Sequence, residues 1–126
     1  AVCTGSVPVL PDVPGLAELD PWTSRDATSA SEAPPTLAVL GGGVVGCELA
    51  TAYASLGSRV TLVARRGLLG GQEPFAVELV REGLEAAGVR VLTDTEVVDA
   101  HRAEKNAVLT LDDGTRILAE QVLVAT

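Results

Sequence analysis

The sequence predicts an α/β chain: a Rossmann-like open parallel sheet with a β-meander insertion, layered as a ββα sandwich. Three observations predict it. An apolar run, TLAVL (36–40), opens directly onto three consecutive glycines and then a helical pattern. Strand-like runs RVTLVA (59–64) and VRVLT (89–93) alternate with helical stretches, the order that gives parallel crossovers. After residue 93 the alternation stops. EVVDAHR, AVLTLD and RILA follow one another with no helix between them, before a last apolar run, QVLVAT.

Each element has its own signal. AVCTG (1–5) reads as the end of a short apolar strand. Residues 6–35 are rich in Pro, Ser, Asp and Ala, connector chemistry with a helical turn near Thr23 to Ser29. Residues 45–56 read as a helix with Leu49, Ala52, Tyr53 and Leu56 on one face, closed by Gly57. GLLGGQE is a loop, and Pro74 suits the first position of the next helix. That helix is expected to turn Phe75, Leu79, Leu84 and Ala87 inward and to end at Gly88. Asp113-Gly114 marks a hairpin turn. The helices should cover one face of the parallel sheet and the antiparallel piece the other.

Composition narrows the function. A chain of 126 residues makes one small domain with a real core. With one Trp, one Tyr and one Phe, that core must be Val, Leu and Ala. A net charge of −8 argues against a nucleic-acid partner, and no basic cluster exceeds Arg65-Arg66. No apolar run reaches the ~20 residues of a membrane span, and the first residues lack the basic start of a secretory signal. Cys3 and Cys47 form neither a CxxC nor a metal spacing, and His101 stands alone. Two cysteines without a framework suit a reducing, cytoplasmic compartment.

The chemistry lies in the glycine turn. Gly41, Gly43 and Gly46 make G-x-G-x-x-G between a strand and a helix, with Gly42, Val44 and Val45 between them. The first glycine allows the tight turn, the second lets a pyrophosphate approach the backbone, and the third lets helix and strand pack closely. The helix N-terminus then offers N–H groups and a positive dipole to the anion. Glu48 lies in the first turns of this helix, where negative charge is favourable with or without a ligand. An acid about 20 residues after such a turn ordinarily accepts the ribose hydroxyls of NAD. Here Ala64 stands in its place, followed by Arg65 and Arg66. The missing carboxylate removes repulsion toward a 2′-phosphate, and guanidinium groups can pair with one, which favours NADP over NAD.

Several ordered motifs then resemble the NAD(P)-binding domain of the FAD-dependent pyridine nucleotide-disulfide oxidoreductases. VCTGSVPVLPDVPGL is similar to the segment that leaves the first half of the family's FAD domain. WTSRDAT resembles its connector, LAVLGGGVVGCELA its dinucleotide turn, and LDDGTRILAEQVLVAT the hairpin and strand before the chain re-enters the FAD domain. The resemblance implies that residues 1–35 are a connector from a truncated FAD domain and that 36–126 form the NAD(P)-binding domain. Gly41 to Gly46 would hold the pyrophosphate. Val44 would stand where some members carry a gating Tyr, and Glu48 would match an acid near the nicotinamide that pairs with a lysine of the FAD domain. Arg65 matches a 2′-phosphate-binding arginine. A second one, farther along that loop, has no match because Gly71 stands there, which leaves Arg66 to substitute. Val97 matches a residue that packs on the adenine.

The family's FAD-binding glycine turn, its C-x4-C redox disulfide and its dimerisation domain with a catalytic His-Glu pair are not in this sequence. Cys3 and Cys47 are expected to be buried small residues, and His101 a surface residue. The stop at Thr126 suggests an excised domain that binds the dinucleotide and catalyses nothing alone, with apolar surface left for weak self-association. The parent would be a cytoplasmic, homodimeric flavoprotein in which NADPH delivers hydride to FAD. Two rivals start from the same turn. One is an S-adenosylmethionine-binding domain, for which Ala64 again lacks the ribose acid. The other is a dinucleotide-sensing module without catalysis. An NADH-dependent member of the same family is a further alternative.

Overall fold

A computed structural model describes residues 10–126. The strand expected over 1–5, and Cys3 with it, lie outside the described residues. A 3-10 turn (Ala17–Leu19) and a short helix α1 (Ser24–Ser29) precede β1 (Thr36–Leu40), α2 (Val44–Ser55), β2 (Arg59–Ala64), α3 (Pro74–Ala86) and β3 (Arg90–Thr93). Then come β4 (Val97–Ala103), β5 (Asn106–Leu111), β6 (Arg116–Ala119) and β7 (Gln121–Val124).

β1, β2, β3 and β7 form a parallel sheet in the order β3-β2-β1-β7. β4, β5 and β6 form an antiparallel meander, the β5–β6 turn falling at Asp113-Gly114. Strand alternation gives the parallel sheet two apolar faces. Leu37, Val39, Leu62 and Leu123 pack with α2 and α3 residues. Ala38, Leu40, Val63, Val122 and Val124 pack against Ala107, Leu109, Leu111, Ile117 and Ala119 of the meander. Helices on one face and meander on the other is the layering expected from the order of elements.

The helices sit differently from the stripes read in the sequence. On α2 the buried residues are Gly46, Cys47, Ala50 and Tyr53. Leu49 is half-buried, and Ala52 and Leu56 are exposed, Leu56 at 65%. Tyr53 takes the inward place expected of it, while close approach at the third glycine, where a Cβ would meet the Gly41 carbonyl, turns Cys47 and Ala50 inward in place of Leu49 and Leu56. On α3 only Leu84, at 1% exposure, is fully buried, with Val77 and Val80 half-buried beside it. Phe75 is 75% exposed, and Leu79 and Ala87 also face solvent. Val77, Val80 and Leu84 follow the i, i+3, i+7 spacing of one stripe, which leaves Phe75 and Leu79 beside it.

The described part of the connector, from Leu10 on, is packed against the sheets. Leu16 and Leu19 are buried in the meander core. Thr23 and Asp26 cap α1 reciprocally. The Trp22 N–H donates to Val122 O and the Val124 N–H to Trp22 O, both at 2.8 Å, so the connector lies along β7 as a further parallel bridge. The Tyr53 hydroxyl donates to Ala27 O at 2.6 Å, which ties α1 to α2.

Candidate functional site

β1 runs into the glycine turn at the carboxyl edge of the parallel sheet. The turn is clamped mainly by backbone hydrogen bonds. The Gly41 N–H donates to Val63 O at 2.9 Å, the Ala125 N–H to Leu40 O at 2.8 Å, and the Leu69 N–H to Gly42 O at 2.8 Å. Gly41 has φ +126°, a conformation L side chains rarely adopt, and a Cβ there would lie 2.9 Å from the Ala125 carbonyl. A Cβ on Gly42 would lie 2.7 Å from the Ala64 Cβ, and one on Gly46 would collide with the Gly41 carbonyl oxygen. The fold itself requires these three glycines.

Gly43 is different. Its φ of −79° suits any residue, and a Cβ there meets nothing within 4 Å. It caps α2 without a side-chain hydrogen bond. The first helical bond is Cys47 N–H to Gly43 O at 3.0 Å. The N–H groups of Val44, Val45 and Gly46 come before it, without a helical acceptor. No acidic residue lies in the first turn. Backbone donors, a helix dipole and open space beside Gly43 suit an anionic group brought close to the main chain.

A cleft of about 790 Å³ opens beside the turn. Leu40, Gly41 and Val63 line its floor, Arg65 and residues Thr95 to Val98 one wall, and Leu10 to Val13 another. Gly41, Arg65 and Val97 thus share one cleft. Val97 is buried, with one side in the meander core. Arg66 is exposed and does not line the cleft, nor does Glu48, which is exposed on α2. Val44 and Val45 are exposed at the start of α2.

One residue of this wall carries no sequence signal of its own. Glu96 places Oε2 3.9 Å from the Arg65 Nε. Its loop is held from two sides. The Asp94 N–H donates to Arg66 O and the Thr95 N–H to Ala64 O, both at 3.4 Å, while the Asp112 N–H donates to Glu96 O at 3.0 Å. The Thr95 hydroxyl also donates to Asp112 Oδ1 at 2.6 Å. Only the neighbour Val97, through the family resemblance, draws attention to this loop.

The remaining reactive side chains stand apart. Cys47 is buried, its thiol donates to Gly42 O at 3.7 Å, and burial raises its pKa. His101 is exposed on β4, 3.6 Å from Asp99. Among the described residues no group of His, Cys, Asp or Glu could hold a metal ion, and no helix is long and apolar enough to cross a membrane.

A parallel sheet with a glycine turn at its carboxyl edge and a meander on its back defines a Rossmann-like domain of the flavoprotein-reductase type. The family model described as pyridine nucleotide-disulphide oxidoreductase matches residues 2–126, and the chain belongs to that family. It is 38% identical over 125 residues to a mercuric reductase of Acidithiobacillus ferrooxidans, covering 99% of this chain and 23% of that protein. It is 35% identical over 128 residues to one of Streptomyces lividans, covering 99% and 27%. The chain therefore spans about a quarter of the length of these relatives. Among solved structures, the HOCl-induced flavoprotein disulfide reductase RclA from Escherichia coli matches with a TM-score of 0.88 at 24% identity, covering 98% of this chain and 28% of that one. LpdA from Mycobacterium tuberculosis matches with a TM-score of 0.73 at 28% identity, covering 82% and 23%.

Proposed function

We propose that this chain is the NAD(P)-binding part of a flavoprotein oxidoreductase and that it prefers NADPH. The observation that carries the reading is Gly43. Its three neighbouring glycines are required by packing, but Gly43 has open space where a side chain would go. A glycine that the fold does not need is explained by a ligand that does.

The residues divide the work. The N–H groups of Val44, Val45 and Gly46 bind the pyrophosphate. Val97 packs on the adenine. Arg65 pairs with the 2′-phosphate, and the carboxylate that would repel it is replaced by Ala64. Arg66 adds positive potential nearby. Val44 and Glu48 flank the nicotinamide, Glu48 as a partner for a lysine of the FAD domain. Bound in this way, the nicotinamide supplies a hydride to the flavin.

Residues 1–35 then carry the chain in from an FAD domain, and 36–126 form the dinucleotide-binding domain. This piece binds but does not turn over. The parent is a cytoplasmic homodimer. Relatives at 35–38% identity that carry the name mercuric reductase support the reductase class.

The test is a calorimetric titration of the chain with NADPH and then NADH at one fixed salt concentration. The expected result is NADPH binding about tenfold tighter, the worth of one charge-assisted contact. Equal affinities would remove the 2′-phosphate role of Arg65. Binding of neither would overturn the assignment for the chain.

A further inference from the structure

We propose that Glu96 tunes dinucleotide choice by holding Arg65, so that a 2′-phosphate must displace a carboxylate to bind. The inference rests on the proposed NADPH reading and names a residue that sets its strength.

The argument starts from what is fixed and what is free. The Glu96 backbone is anchored: its carbonyl accepts from Asp112, and the two residues before it are tied to the end of β2 through Arg66 O and Ala64 O. Its side chain therefore starts from a fixed place on the wall of the cleft, within reach of Arg65. The side chains themselves are free. Arg65 is 70% exposed and Glu96 49%. At 3.9 Å, through Nε, the pair is an exposed ion pair that water and salt screen. Such a pair orients the guanidinium without locking it.

Ala64 removes the acid that would stand at the end of β2, but Glu96 returns a negative charge to the same neighbourhood from the next loop. A phosphate dianion binds a guanidinium more strongly than a single carboxylate does. It can take Arg65 from Glu96, but with part of the gain lost. A ribose that lacks the phosphate leaves the pair intact. Glu96 thereby narrows the gap between the two dinucleotides.

The experiment titrates the chain with 2′,5′-ADP and 5′-AMP, probes that differ only in the 2′-phosphate. Wild type, Glu96→Gln, Arg65→Gln and the double variant are compared at low and at physiological salt. Glu96→Gln is expected to tighten 2′,5′-ADP about three- to fivefold at low salt, less at higher salt, and to leave 5′-AMP within twofold. In the Arg65→Gln background the same change should have less than a twofold effect. If wild type prefers 2′,5′-ADP and Glu96→Gln changes nothing, the tuning role is overturned while the NADPH reading stands. An effect that persists without Arg65 would also overturn it, by showing direct repulsion rather than competition. If wild type shows no preference for 2′,5′-ADP, the NADPH reading fails and the inference fails with it.

Discussion

At the glycine turn, of which Gly41 lines the cleft and Gly42 to Gly46 lie beside it, the groups on offer are backbone, fixed by hydrogen bonds to Val63 and from Leu69. At the Arg65 end they are two charged side chains, both largely exposed and 3.9 Å apart. The difference teaches what each end can do. A backbone site is fixed by the packing that makes the fold, so it suits a group common to every dinucleotide. A pair of exposed side chains is cheap to change and sensitive to salt, so it suits the one group that differs between NADPH and NADH. In the proposed function the first end supplies affinity and the second supplies choice.

Substitutions can break this comparison at either end. The largest effect should come from Gly46→Ala, whose Cβ would collide with the Gly41 carbonyl. We expect a loss of about 3–5 kcal/mol in denaturant unfolding, enough to unfold a marginal domain. Gly43→Ala, three residues away, separates folding from binding. Its Cβ meets nothing, so stability should change by less than about 1 kcal/mol. Dinucleotide affinity should fall about ten- to hundredfold, because the methyl fills space kept for the ligand. Arg65→Glu acts at the other end. It should weaken NADPH about ten- to hundredfold in the same titration and spare NADH, and equal losses for both would end the division of labour.

The smallest effect concerns alkaline pH. Burial raises the pKa of Cys47 from 9.0 and of Tyr53 from 10.0. Both groups hold their protons in the folded state at pH values where the unfolded chain releases them. Their contribution is therefore complete below pH 9.0 and is lost as pH rises beyond it. The melting temperature should decline above that point, and Cys47→Ala should move the onset toward pH 10.0.

Much of this molecule was legible from residue order. The bounds of β1 and β2 follow the apolar runs at 36–40 and 59–64, because strands buried on both faces read as continuous hydrophobic stretches between polar punctuation. The helix faces were less legible. On α2 the bulky Tyr53 is buried as expected, but close packing against the Gly41 carbonyl selects Gly46, Cys47 and Ala50 over Leu49 and Leu56. On α3 the bulkiest residue, Phe75, is left in solvent together with Leu79. The turn was legible because strand, glycines and helix are contiguous. The Arg65–Glu96 pair was not, because it joins loops after β2 and β3 that only the parallel register brings together.

The most direct test follows backbone amides by heteronuclear NMR while NADPH is added to the chain. The account predicts the largest shifts at Gly43, Val44, Val45 and Gly46, with a second group at Arg65, Glu96 and Val97 that is weaker with NADH. Shifts confined to the outer side of α3 around Phe75 and Leu79, with the turn unmoved, would contradict it.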